Sequence, residues 1–305
     1  MDTQADISLK NTGTDKLSIA YHDHGDINGW YCILSHGFPY DVHCYDDCVQ
    51  PLVAQGARVI VPYLRGYGAT RFLERKTVRS GEQAALGNDL LQLMDALSID
   101  KAVLGGFDWG GRAACIVAAL WPERVHALVS GNSYNIQDIA ASMQPAPAAQ
   151  ESSFWYQYYF HSERGRNGLQ ANRNEIAKLL WQQWSPTWKF DDETFNRSAA
   201  SLQNPDFVDV VIHSYRHRYG LVDGDPSLVG IERQLSSQPN IQVPTITIDG
   251  DVNTVIPSTE HHKNKFTGLH EYRVFRDAGH NVPQEKPAQW IQAVLDAKAM
   301  ADALQ

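Results

Sequence analysis

The sequence predicts an α/β fold, a mostly parallel twisted sheet flanked by helices, with a helical insertion in its second half. Three observations carry this expectation. Strand and helix patterns alternate through the first part of the chain, as they do when crossover helices join parallel strands. From about Tyr134 to Leu235 there is no clean strand pattern, only aromatic-rich helical stretches. Strand patterns then return at 245–248 and 272–275. The expected division is a core of residues 1–134 and 236–305 carrying a helical cap domain of residues 135–235.

Residues 17–22 and 31–35 read as strands separated by a turn-like stretch between Gly25 and Gly29. Arg58-Val59-Ile60-Val61 is a short β-branched run, typical of a strand buried on both faces. Residues 80–98 place Leu86, Leu90, Leu93, Met94 and Leu97 at helical spacing. A strand at 102–104, a helix at 111–120 that stops before Pro122, and a strand at 125–130 complete the first part. Residues 140–149 are rich in Ala, Pro and Gln and read as a linker. Helices are expected over 154–160, 176–184 and 207–219, and a last one over 287–304.

With 43% apolar and 20% charged residues, the 305-residue chain has ordinary globular composition. Its net charge of −9 argues against nucleic acid as a partner. The basic stretches at 71–79 and at Arg216-His217-Arg218 are short enough to be solvated faces. Residues 1–15 are polar and lack a signal-peptide core. No apolar run approaches the ~18 residues of a membrane span. A soluble, cytoplasmic protein without membrane association is expected, and a homodimer is compatible with the composition. Cys32, Cys44, Cys48 and Cys115 fit reduced thiols. For zinc, Cys44 and Cys48 would need two further ligands; His36 and His43 are nearby, but His36 belongs to a motif with another role. Nothing in the sequence calls for a metal or a cofactor.

The segment Gly106-Phe107-Asp108-Trp109-Gly110-Gly111 lies where a strand gives way to a helix. Small residues around a central side chain at such a turn make a nucleophile elbow, because strand and helix pass too close for a Cβ. An Asp that merely caps the helix is the plainer alternative. A carboxylate nucleophile suits an electrophilic sp3 carbon, which it converts to an alkyl ester. That chemistry points to epoxide opening or halide displacement rather than to ester cleavage. Ser35-His36-Gly37-Phe38-Pro39 follows an early strand, and its Phe38 N–H, with that of Trp109, can form an oxyanion hole. His36 there reads as structural. Asp277-Ala278-Gly279-His280 follows the last strand, which is where the general base belongs.

Together these motifs, with Arg65-Gly66-Tyr67-Gly68, resemble the α/β-hydrolase superfamily, in its branch of epoxide hydrolases and haloalkane or haloacetate dehalogenases. The resemblance implies the α/β-hydrolase fold, and it implies two cap tyrosines that protonate the epoxide oxygen. Tyr156, in Tyr156-Gln157-Tyr158-Tyr159-Phe160, and Tyr215, in Ser214-Tyr215-Arg216, match the motifs that carry them. It also implies a supporting acid after residues 245–248, but the expected position is Asn253. An Asn can accept the imidazole Nδ1–H without supplying charge, so the alkyl-enzyme could accumulate. Asp251 is the nearby substitute. A dehalogenase would use the same Asp108 and His280, with the Trp109 N–H and Trp155 or His161 as halide donors. A weakly active ligand-binding relative is the third reading. Trp155, Trp184, Trp188 and the tyrosines suggest an apolar pocket for a small hydrophobic substrate, with water as co-substrate.

Overall fold

The β-branched and apolar runs condense into one nine-stranded sheet. A computed structural model describes residues 9–256 and 258–304. In chain order the elements are β1 (Lys10–Gly13), β2 (Leu17–His24), β3 (Trp30–Ser35), α1 (Asp46–Ala54), β4 (Ala57–Pro62), β5 (Arg71–Phe72), α2 (Gln83–Ala96), β6 (Ala102–Phe107), α3 (Asp108–Leu120) and β7 (Val125–Gly131). Six helices follow: α4 (Ala148–Ser153), α5 (Trp155–His161), α6 (Glu163–Trp184), α7 (Asp192–Ala199), α8 (Phe207–His217) and α9 (Val229–Leu235). The chain closes with β8 (Thr245–Gly250), β9 (His270–Phe275), α10 (Val282–Glu285) and α11 (Pro287–Asp302).

The sheet order is β1-β2-β4-β3-β6-β7-β8-β9, with β5 also on β2. The pairs of β1, β4 and β5 with β2 are antiparallel, and every other pair is parallel. The strands at the centre are buried on both faces, which is why β6 and β8 contain no exposed residue. Two adjacent glycines of β6 show how the layers stack. A Cβ on Gly105 would lie 3.5 Å from Trp290 of α11, and one on Gly106 only 2.5 Å from Gly110 of α3. Neighbouring strand residues point to opposite faces, so α3 and α11 cover opposite sides of the sheet.

Several elements depart from the sequence expectation. β1 and β5 are short, largely exposed edge strands without an apolar alternation. α1 forms despite Pro51, burying Cys48, Val49 and Leu52. α3 begins at Asp108, earlier than residue 111, and α4 starts inside the stretch that reads as a linker. All four cysteines are buried and unpaired. No helix among the described residues is long and apolar enough to cross a membrane.

Side chains from the helical segment between β7 and β8 hold the loops at the sheet's carboxyl end. The Trp181 indole N–H donates to Pro39 O at 3.1 Å, Ser201 Oγ donates to Asp41 at 2.5 Å, and Asn204 Nδ2 donates to Thr70 O at 2.7 Å. At the far end of the segment, Glu232 of α9 accepts the Ala84 N–H of α2 at 3.0 Å.

Candidate active site

Asp108 follows β6 and starts α3 with φ of 50°, in the left-handed region that residues other than glycine seldom occupy. Close approaches on all sides enforce this. A Cβ on Gly110 would stand 1.9 Å from Ser35 O, and one on Gly37 would stand 2.6 Å from the Asp108 Cβ. The β3 loop is therefore pressed against the elbow, and its Phe38 N–H donates to Asp108 Oδ1 at 2.8 Å. The Trp109 N–H lies in the first turn of α3, where no intrahelical acceptor exists, so it is available to the same oxygen. The Trp109 ring is buried and stacks on Phe38 at 5.7 Å.

The other oxygen, Asp108 Oδ2, lies 3.6 Å from His280 Nε2. Burial works to raise the Asp108 pKa, but the neighbouring His280, then the charge of Arg112, hold it below the ordinary 3.8. The two carboxylate oxygens thus have separate surroundings. Oδ1 is tied to a backbone donor, and Oδ2 is open to a reacting carbon. His36, by contrast, is satisfied internally: it accepts the Leu64 N–H at 3.2 Å and donates to Gly37 O at 3.0 Å.

Asn253 does contact His280, but in the opposite sense to that expected. Its Oδ1 accepts the N–H groups of Val255 at 3.0 Å and Ile256 at 3.2 Å. The Nδ2 donor is left facing His280 Nδ1 at 3.2 Å. Asn253 therefore donates to the imidazole rather than accepting from it. This orientation keeps the His280 proton on Nε2, toward Asp108. Asp251 does not substitute: its carboxylate lies 3.4 Å from Arg276 and is turned toward the Ala278 N–H.

A carboxylate absent from the sequence reading stands close behind His280. Glu285 accepts the N–H of Gly279 at 2.6 Å and of Asn281 at 2.9 Å, bracketing the histidine. It also accepts Ser185 Oγ–H at 2.6 Å, and Ser185 in turn accepts the His280 N–H at 3.0 Å. Burial pushes the Glu285 pKa above 4.5, against these bonds and the His280 charge.

Tyr156 and Tyr215 meet above the elbow, their rings edge to face at 5.3 Å and both against Phe38. Both are buried. Burial raises the Tyr156 pKa to about 12 and that of Tyr215 well above the ordinary phenol, so both remain O–H donors. The neighbouring tyrosines are engaged elsewhere: Tyr158 with Glu151, and Tyr219 with Gln157 at 3.1 Å. Trp184 sets its ring edge to face with His280 at 5.0 Å. Trp155 is a correction. Its indole N–H is committed to Gln183 at 3.1 Å, which leaves it no donor for a substrate or halide. Trp188 packs on Trp181 instead.

The cavity over Asp108 measures about 560 Å³, and Tyr156, His161, Arg112 and Arg218 are among its walls. Arg112 was not singled out from the sequence, and Arg218, read with Arg216 and His217 as a solvated face, instead lines the cavity. Arg112 was legible in principle, because it follows Asp108 by one helical turn and shares its face.

The pattern of one family, described as alpha/beta hydrolase fold, matches residues 33–287. The chain belongs to that family. Among solved structures of this hydrolase fold, one from Klebsiella pneumoniae, provisionally named an epoxide hydrolase, is 45% identical. The alignment covers 98% of this chain and 100% of that one, with a TM-score of 0.96. An AB hydrolase superfamily protein of Bacillus subtilis is 32% identical over 41% of this chain and 43% of its own length. Epoxide hydrolase 3 of Siraitia grosvenorii is 34% identical over 39% of this chain and 36% of its own length. The chain thus spans less than half the length of these two curated relatives. Epoxide hydrolases, named and provisionally named, are thus among the proteins this hydrolase-fold chain is similar to.

Proposed function

We propose that this hydrolase opens epoxides through a covalent ester on Asp108 and releases a vicinal diol. One observation carries the reading: the strained Asp108, with Oδ1 on the Phe38 N–H and Oδ2 facing His280, shares its site with the Tyr156–Tyr215 pair. Oδ2 attacks an epoxide carbon, the C–O bond breaks, and a tyrosine O–H gives its proton to the alkoxide. Water then attacks Cγ of the ester while His280 takes its proton. The charge that develops on Oδ1 is met by the N–H groups of Phe38 and Trp109. Collapse of this intermediate expels the ester alkoxide, which takes the proton held by His280, and the remaining proton of the water returns to the tyrosinate, restoring the carboxylate and freeing the diol.

The Asn253 donor opposes the second half of this sequence, because it favours the imidazole form whose Nε2 already carries a proton. The ester is therefore expected to accumulate. A single turnover of styrene oxide in H₂¹⁸O tests the route. The label is expected in the Asp108 peptide, and the first-formed diol carries an oxygen from Asp108. Label appearing directly in the diol would refute the covalent route. Halide release from bromoalkanes or haloacetates, with epoxides untouched, would replace the reading with dehalogenation at the same Asp108.

A further inference from the structure

The walls of the cavity contain two cations, Arg112 and Arg218, that form no salt bridge among the described residues. Arg112 is 7% exposed, and only its Nε has a protein partner, Asn135 O at 3.1 Å. Its two terminal nitrogens have none among the described residues, although the side chain lines the cavity. Arg218, just past the end of α8, engages neutral groups only. It reaches Gln157 Oε1 at 3.3 Å and lies over the Tyr215 ring at 4.6 Å. With the Gln137 amide turned oxygen-first, it also donates there at 2.7 Å. The acidic groups in the same walls are otherwise engaged. Asp108 is the nucleophile. Asp138 is exposed and accepts the Ala141 N–H at 3.0 Å. Glu151 is held by the Tyr158 hydroxyl and by the Ala146 N–H at 2.6 Å.

We infer that Arg112 and Arg218 form an anion subsite, and that the substrate is an epoxide bearing a carboxylate close to its ring. A buried guanidinium with free donors is costly unless a ligand completes it, and a carboxylate matches its fork. Burial, and then the charge of Arg218, push Arg112 down to about 10, as expected for two like charges awaiting an anion. Arg112 follows Asp108 by one turn, a rise of about 6 Å. The anion therefore sits within a few bonds of the attacked carbon, and the aromatic walls take the rest of the substrate.

The turnover arm of the test rests on the epoxide reading, and the binding arm does not. In the first arm, trans-3-phenylglycidate is compared with trans-1-phenylpropylene oxide, which has methyl in place of carboxylate. The wild type should favour the glycidate by about tenfold or more in kcat/KM, as expected for charge-assisted bonds. In the second arm, calorimetry should show trans-cinnamate binding at least about tenfold more tightly than cinnamamide. Arg112→Met and Arg218→Gln should each collapse both ratios. Two variants, and two wild-type ratios that need no variant, keep misfolding from deciding the outcome. Turnover of the neutral epoxide with no preference for either anion would overturn the subsite and leave epoxide hydrolysis standing. Arginine-dependent cinnamate binding without turnover of either epoxide would uphold the subsite and sink epoxide hydrolysis. Anion preferences that survive both substitutions would overturn the assignment to these arginines.

Discussion

Replacing Asn253 with Asp should convert a slow second half-reaction into a fast one. In the wild type, Asn253 Nδ2 faces His280 Nδ1 at 3.2 Å, while Oδ1 is occupied by two backbone N–H groups. Moving the histidine proton to Nδ1, which frees Nε2 to act as a base, sets two donors against each other. An unsatisfied buried donor costs about 1–3 kcal/mol, so the competent form falls by roughly 5- to 150-fold. The missing charge on the imidazolium adds to this, and in serine enzymes the loss of the acid costs about 10⁴-fold in rate. Asn253→Asp keeps Oδ1 on Val255 and Ile256 and presents Oδ2 to an Nδ1–H. Decay of the alkyl-enzyme should then accelerate by about 10²-fold, between these bounds. Rapid-quench intact mass spectrometry after styrene oxide addition reads this directly. The adduct should dominate the wild-type steady state and be scarce in the variant, with similar formation rates. Unchanged or slower adduct decay in Asn253→Asp would refute the tautomer argument.

Further outcomes follow from the same geometry. Tyr156→Phe and Tyr215→Phe should each slow adduct formation by about 10²-fold. Wild-type adduct formation should show no loss of the Tyr156 donor as pH passes 10.0, because burial raises its pKa to about 12; an alkaline fall centred at 10.0 would show that the donor does not have this raised pKa. Glu285→Gln should lower stability by about 1–3 kcal/mol, since an amide nitrogen cannot accept from the donors now facing the carboxylate. With its folded pKa raised above 4.5, Glu285 contributes stability below that value that is lost as pH rises through the raised pKa. Melting temperatures of the Gln variant should lack this decline, and an identical profile would show that Glu285 does not titrate as described. Gly110→Ala should cost more than about 2 kcal/mol in thermal unfolding, because its Cβ would stand 1.9 Å from Ser35 O.

What could be read from the sequence was mostly local. The elbow is one contiguous stretch whose glycines state their own steric reason, and Phe38 and His280 each sit just past a strand end. The β-branched runs marked the central strands because burial on both faces leaves no polar alternation. Edge strands β1 and β5 carry no such signal, since solvent takes one side of them. Asn253 was identifiable by position, but not the direction of its amide, which depends on the two N–H groups its own loop turns inward. Trp155 failed for a related reason: an indole N–H finds the partner that tertiary packing supplies, here Gln183. Arg218, Ser185 and Glu285 meet their partners across long stretches of chain, and no spacing rule links Ser185 to Glu285 or His280.

The bond from Ser185 to His280 has a mechanical consequence. Ser185 immediately follows α6, so the same hydroxyl that steadies the base is carried by the helical segment over the site. Trp181 on Pro39 and Ser201 on Asp41 fasten that segment along the same border. Swinging this border outward would unseat both the histidine and the oxyanion loop, so it behaves as a hinge post rather than a door. Met143, Gln144, Pro145 and Leu221 also line the cavity and take part in none of these bonds, so a shift of their side chains would leave this border fastened.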